Sequence, residues 1–143
     1  MVTTIILAGG IGSRMKAKKP KQFLIVNKKP IIVNTISNFQ NCPYVDNILI
    51  VCLKSWIKKM EDYVQKYNLT KVKWLIPGGD TGHDSTRNGV FFLKDILKQD
   101  DIVIIHDAAR PLLPQIIIKE MLDVAKEKGN ACVSVPCHET LII

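Results

Sequence analysis

Three polar segments of this chain carry residues that can handle phosphates, and each comes directly after an apolar run. The first, Ala8-Gly-Gly-Ile-Gly-Ser-Arg14, places Gly9, Gly10 and Gly12 ahead of Ser13 and Arg14. Glycines let the backbone approach a bulky anion, and successive N–H groups in such a loop can cradle phosphates. Arg14 adds a permanent cation whose fork matches phosphate oxygens. The run is not a dinucleotide fingerprint, because the last glycine of GxGxxG would fall on Met15, and no Gly-Lys-Ser/Thr of a P-loop follows it. The plainer alternative is a tight strand-to-helix turn.

The lysines that follow, Lys16-Ala-Lys-Lys-Pro-Lys-Gln22, are not equivalent. Lys16, Lys18 and Lys19 read as a solvated face. Lys21 stands between Pro20, which stiffens the chain, and the apolar Phe23-Leu-Ile-Val26, so its ammonium is held near the Gly-rich loop. No aromatic residues are interleaved for base stacking on nucleic acid.

At the third segment, His106-Asp-Ala-Ala-Arg-Pro111, Asp107 ends an apolar run. A carboxylate there suits Mg²⁺, which takes one or two carboxylates together with substrate phosphates. Arg110 can hold a second anion, and Pro111 fixes the loop. The alternative makes Asp107 a turn cap and Arg110 its ion-pair partner. His106 reads as a packed strand residue. In the second segment, Gly78–Asp84, backbone groups together with the Ser85 hydroxyl can read a base edge. Cytosine suits that mixture of donors and acceptors, but the spacing leaves the base open.

These segments need elements to bring them together. Thr3–Leu7, Asn47–Leu53, Val72–Ile76, Asp101–His106 and Ala131–Val135 read as strands from their β-branched or continuous apolar runs. Between them, helices are expected over Ile31–Phe39 behind Pro30, and along Ile57, Met60, Tyr63, Val64 and Tyr67 at helical spacing. Two more are expected over Ser85–Leu97, with Val90, Leu93, Ile96 and Leu97 on one face, and from Pro114 to Lys128, with Gly129 as a left-handed cap. Thr140–Ile143 begins a further extended piece. Strand–helix alternation of this regularity predicts an α/β fold, a Rossmann-like three-layer sandwich around a mostly parallel sheet. In such a sheet ligands bind beyond the carboxyl ends of the strands, so all three polar segments fall on one edge.

Composition sets the outer bounds. The chain has 143 residues, 47% hydrophobic and 23% charged, which argues against wholesale disorder. Twenty Lys and Arg against 13 Asp and Glu give a net charge of +7 and invite a polyanion: nucleic acid, an acidic membrane surface or a phosphorylated substrate. No apolar run reaches the length of a membrane helix. Cys42, Cys52, Cys132 and Cys137 form no CxxC pair, and Cys52 and Cys132 lie in strand-like runs where a buried free thiol is expected. A soluble cytoplasmic protein is the expectation.

The order Leu7-Ala-Gly-Gly-Ile-Gly-Ser-Arg-Met15, Pro20-Lys-Gln-Phe23, Gly78-Gly-Asp80 with Ser85, and His106-Asp-Ala-Ala-Arg-Pro111 resembles the cytidylyltransferases that act on alcohol phosphates. The family includes enzymes for 2-C-methyl-D-erythritol 4-phosphate and for D-ribitol 5-phosphate. The resemblance implies a nucleotide-diphospho-sugar-transferase type of fold and a nucleotidyltransferase reaction, in which CTP and an alcohol phosphate give a CDP-alcohol and pyrophosphate. Carried over by motif, Arg14 and Lys21 would be catalytic, gripping the triphosphate and stabilising charge at the α-phosphorus. Ala8, Gly9, Gly10, Gly12, Ser13, Gly79, Asp80 and Ser85 would bind the nucleotide, with Ala8, Gly9, Gly79, Asp80 and Ser85 around the cytosine. Asp107 would lie at the Mg²⁺ and substrate end, with Arg110 and Thr140 near the alcohol phosphate.

There are departures from the pattern. The family often carries an Arg between Gly79 and Ser85, where this chain has Gly82-His83, and Arg87 is the candidate substitute. Family members run well past residue 143, into an arm that builds a homodimer, so the chain is expected to be the N-terminal portion of such an enzyme. Leu7-Ala-Gly-Gly10 in place of the Ala-Ala-Gly form leans towards the ribitol phosphate branch. Two readings compete with a transferase. A catalytically silent nucleotide- or phosphate-binding module would bind CTP without releasing pyrophosphate. A nucleic-acid binder would show steeply salt-dependent affinity.

Overall fold

The computed structural model describes residues 1–10 and 19–136. Gly12, Ser13, Arg14 and Thr140, together with the extended piece expected at Thr140–Ile143, lie outside the described residues. Two compact units make up the chain, Met1–Leu113 and Pro114–Ile143.

The first unit is built on four parallel strands: β1 (Val2–Ala8), β4 (Asn47–Cys52), β5 (Val72–Pro77) and β6 (Ile102–Asp107). They lie in the order β5-β4-β1-β6. A short antiparallel pair, β2 (Ile25–Val26) and β3 (Lys29–Pro30), stands apart from them. Helix α1 (Ile31–Gln40) joins the β2–β3 pair to β4, α2 (Ile57–Lys66) joins β4 to β5, and α3 (Gly82–Leu93) joins β5 to β6. The first two crossovers step outward from β1, and the third returns across it. That reversal makes β1 the switch strand, and the crevice beyond its carboxyl end is where such sheets bind ligands. The expected α/β fold with a parallel sheet is therefore present.

Side-chain alternation along the strands decides what each face buries. Ile5, Leu49 and Val51 pack with Leu93 of α3, and Leu7, Trp74, Ile76 and Leu97 close around them. On the opposite face Ile6, Ile48 and Ile50 are fully buried, as are Ile32, Ile36 and Phe39 of α1. The Phe39 ring meets His106 edge-on with centroids 5.1 Å apart, so His106 is a packed strand residue.

Helix α3 differs from its expected form in three ways. It begins at Gly82, earlier than Ser85, because Thr81 and Asp84 form a reciprocal capping box. It ends at Leu93. Its buried residues are Ser85, Gly89 and Leu93, four apart, whereas Val90 and Ile96 are exposed. Gly89 is what lets the helix come so near the sheet, since a methyl there would stand 3.1 Å from both Ile5 and Val51.

The second unit holds α4 (Gln115–Lys128), preceded by Pro114 and closed by Gly129 with φ 86°, the left-handed cap that its sequence position predicts. Ala131–Val135 forms no strand: no partner strand pairs with it among the described residues, and Val133 and Val135 are exposed. A strand is held by its neighbours, so β-branched composition alone could not make one. Cys132 is exposed for the same reason, against the expected buried thiol, whereas Cys52 is buried in β4.

Candidate functional site

Strand register brings the polar segments level. Leu7 lies beside Val51 on one side and Asp107 on the other, Ala8 lies beside Cys52, and Cys52 beside Pro77. All three segments therefore leave the sheet at the same edge, as the fold requires.

At the centre of that edge the loops after β1 and β5 meet over the end of β4. The Gly78 N–H donates to the Cys52 carbonyl at 2.8 Å, extending the β4–β5 ladder by one bond. Ser85, in the first turn of α3 and 2% exposed, fits between the two loops. Its Oγ accepts from the Gly79 N–H at 3.1 Å. A β-carbon at Gly9 or at Gly78 would stand 2.7 Å from that same oxygen, and one at Gly79 would collide with Asp84. Three glycines from two loops are thus packed around one hydroxyl and the cap of α3. The result is a floor of backbone with a single side-chain oxygen in it.

The Thr81–Asp84 cap fixes the orientation of this floor. The Thr81 hydroxyl accepts from the Asp84 N–H at 3.1 Å, and the Asp84 carboxylate accepts from the Thr81 N–H at 3.2 Å and the Thr81 hydroxyl at 2.7 Å. Those bonds from Thr81, helped by the positive charges of His83 and Arg87, hold the Asp84 carboxyl below its ordinary range although partial desolvation opposes them. Asp80 is exposed on the same loop. Arg87, the candidate substitute for the family Arg, lies over the Phe91 ring at 5.5 Å, one turn along α3.

Lys21 is carried by the 3-10 turn Lys21–Phe23. Phe23 anchors that turn: it is buried and stacks on Trp56, with centroids 3.9 Å apart and planes 10° from parallel. Pro20 closes it through its carbonyl, which accepts from the Phe23 N–H at 3.0 Å. Lys21 itself is exposed and pairs with no carboxylate among the described residues.

The residue that sequence reasoning passed over is Gln22. It is 2% exposed, and its side-chain Nε2 donates to the Ala8 carbonyl at 2.8 Å and the Gly10 carbonyl at 2.9 Å. The sequence signal was present in Pro20-Lys-Gln-Phe23, but a glutamine's reach to backbone carbonyls leaves no mark in residue spacing.

On the other side of β1, Asp107 and Arg110 form an ion pair, with Nε 2.7 Å from Oδ2 and side chains 76% (Arg110) and 53% (Asp107) exposed. The loop beneath is tightly tied. The Arg110 N–H donates to the Asp107 carbonyl, Ala108 N–H donates to Leu7, and the Thr35 hydroxyl donates to Ala108 at 2.8 Å. His106 Nε2 lies 2.9 Å from the Arg110 carbonyl. In this structure the turn-and-pair arrangement is the one seen. Among the described residues no three His, Cys, Asp or Glu side chains gather as a metal cage, and no helix is long and apolar enough to cross a membrane.

Residues 2–143 match the family described as 2-C-methyl-D-erythritol 4-phosphate cytidylyltransferase (IspD). A ribitol-5-phosphate cytidylyltransferase of Lacticaseibacillus paracasei is 42% identical over 143 residues, covering 100% of this chain and 61% of that protein. A 2-C-methyl-D-erythritol 4-phosphate cytidylyltransferase of Syntrophus aciditrophicus is 38% identical over 141 residues, covering 98% and 59%. Among solved structures, the 2-C-methyl-D-erythritol 4-phosphate cytidylyltransferase of Francisella tularensis superposes with a TM-score of 0.69 at 31% identity, covering 89% of this chain and 52% of that one. The chain thus spans about three-fifths of the length of the curated relatives it matches.

Proposed function

Since the chain belongs to the IspD family of 2-C-methyl-D-erythritol 4-phosphate cytidylyltransferases, we propose that it transfers CMP from CTP to a small alcohol phosphate, with release of pyrophosphate. The observation that carries this reading is the backbone floor of Gly9, Gly78 and Gly79 around Ser85, flanked by the exposed Lys21 turn and by Asp107 with Arg110. The glycines let the two loops close around Ser85, and the peptide groups brought together there, with the Ser85 hydroxyl, can meet the polar edge of a base. The phosphates then extend along the Gly-rich loop towards Lys21.

The chemistry asks little of the protein beyond position and positive charge. A phosphate oxygen of the alcohol phosphate is already anionic, so its attack on the α-phosphorus needs no general base. Lys21 contributes by neutralising charge that builds on the α-phosphoryl oxygens, an effect strongest in the transition state. Arg110 would take the incoming phosphate, and Arg14 would share the triphosphate. Asp107 fits Mg²⁺ of the kind that draws most of its ligands from phosphates and water, since it offers one half-exposed carboxylate and no protein cage surrounds it among the described residues. Bound there, the ion would screen the triphosphate. We favour ribitol 5-phosphate as the alcohol phosphate, on the relatives at 42% and 43% identity that carry that name. A homodimer in the cytoplasm completes the proposal, and buried free thiols at Cys42 and Cys52 are consistent with a reducing compartment.

The test is Mg²⁺-dependent pyrophosphate release across the four nucleoside triphosphates, with ribitol 5-phosphate and 2-C-methyl-D-erythritol 4-phosphate in parallel, in the full-length protein. Release with CTP and one of the two alcohol phosphates is expected. CTP binding without release would instead make the domain a silent nucleotide-binding module.

A further inference from the structure

We propose that Gln22 is a positioning residue that makes the Gly-rich loop receptive to an anion by holding two of its carbonyls away from the ligand. The inference deepens the reading of this site as one that takes a nucleoside triphosphate and rests on that reading.

A loop that cradles phosphates must show them N–H groups and hide its carbonyl oxygens, which would repel them. In a Gly-rich loop nothing local enforces this, because without a β-carbon each peptide plane can turn over. Here one amide nitrogen does so for two peptides at once. Nε2 of Gln22 donates to the carbonyls of Ala8 and Gly10, which bracket Gly9. Peptide planarity then sends the Gly9 N–H away from Gln22.

Gln22 is buried, and its bond to the Ala8 carbonyl is shielded from water, while the one to Gly10 is part-buried. It lies between Lys21 and Phe23 in a turn pinned by the stack on Trp56. The turn that carries the Lys21 cation is thereby tied to the loop after β1, and the two are held in register. Lys21 and the loop would grip the same phosphates only if that register is kept.

Two substitutions separate this role from simple packing. Gln22→Met keeps the length and volume but removes both donors. Gln22→Glu keeps the shape and turns the donor into an acceptor: its carboxylate faces two carbonyl oxygens with no proton to give. Burial and those carbonyls raise the pKa of that carboxyl, so the damage is largest at high pH and is relieved as falling pH supplies one proton and hence one donor. Measured against wild type at each pH, Q22M should bind CTP about tenfold or more weakly, a loss of the size one buried and one part-buried hydrogen bond carry. The deficit of Q22E should shrink as the pH falls from about 8 to about 6, where a raised carboxyl pKa comes into range. Amide exchange in a peptide covering Leu7–Gly10 should speed up in ligand-free Q22M, while exchange in β4 stays as in wild type.

Folded variants with wild-type CTP affinity and unchanged exchange would overturn the proposal, as would a Q22E deficit that does not vary with pH. If Q22M fails to fold, the pH comparison on Q22E decides. If wild type itself binds no CTP, the nucleotide reading falls, and the exchange measurement still decides whether Gln22 holds the loop.

Discussion

Gly9→Ala tests whether the meeting of the two loops around Ser85 is as tight as the structure shows. The φ of Gly9 lies outside the left-handed region, so the backbone does not exclude alanine. The obstacle is steric: the new methyl would stand 2.7 Å from Ser85 Oγ, against about 3.4 Å for ordinary contact. One of the two must move by several tenths of an ångström. Ser85 is buried, and turning its hydroxyl away would break its bond with the Gly79 N–H. Overpacking of this kind costs about 1–3 kcal/mol, and a lost partner for a part-buried N–H falls in the same range.

The two costs are not independent, and that gives the decisive comparison. Ser85→Ala removes the oxygen, and the new methyl would then face the Ser85 Cβ position at 3.6 Å and the Gly78 Cα at 4.0 Å, both ordinary contacts. Gly9→Ala should therefore cost about 1–3 kcal/mol in the wild-type background and under about 0.5 kcal/mol in the Ser85→Ala background. Urea unfolding of wild type, the two single variants and the double variant measures this coupling. Additive costs, or a Gly9→Ala variant as stable as wild type, would refute the packing argument.

Other outcomes can be stated more briefly. On the proposed role of its charge in the transition state, Lys21→Ala should lower turnover by about a hundredfold or more while changing CTP affinity by less than about tenfold; equal losses would place it in ground-state binding. Thr81→Ala removes the cap of α3 and should cost about 1 kcal/mol at neutral pH, read by urea unfolding. The Asp84 carboxyl sits below its ordinary range mainly through its bond from Thr81, so it favours the fold above that range and ceases to do so as pH falls through its lowered value. The gap between wild type and Thr81→Ala should narrow in acid, and a gap constant down to about pH 2 would contradict that linkage. Of the three described cysteines, Cys132 should alkylate readily in the folded protein and Cys42 and Cys52 should resist, Cys52 the more so because burial pushes its thiol up to about 11. Mass spectrometry after a short iodoacetamide pulse checks it.

The sheet was legible because continuous apolar runs such as Asn47–Cys52 can be satisfied only by cover on both faces. Ala131–Val135 has similar composition, yet no neighbouring strand pairs with it among the described residues, and side chains alone do not supply hydrogen bonds. The start of α3 was missed because Gly82 and His83 are poor helix formers, and the Thr81–Asp84 box that overrides them depends on geometry three residues apart. At the site, residue types announced the glycines, Ser85 and Lys21, since their chemistry is intrinsic. Gln22 leaves no such mark for the opposite reason: the role proposed for it lies in which two carbonyls it reaches.

The ion pair at Asp107 and Arg110 matches one of the two readings the sequence supports there, and it leaves room for the other. An arginine three residues from a carboxylate on a tied loop can pair with it, as seen at 2.7 Å. Exposed pairs of this kind contribute about 0–1 kcal/mol, so releasing Arg110 to an incoming phosphate would weaken that phosphate's binding by at most about fivefold. A bidentate contact between arginine and a phosphate is charge-assisted twice over and can exceed that cost. On the same proposal, releasing Arg110 would also free the Asp107 carboxylate for a cation carried by the phosphates. On the proposed reading, then, the ion pair is one that a substrate phosphate would displace cheaply, and it holds two opposite charges together at the end of β6.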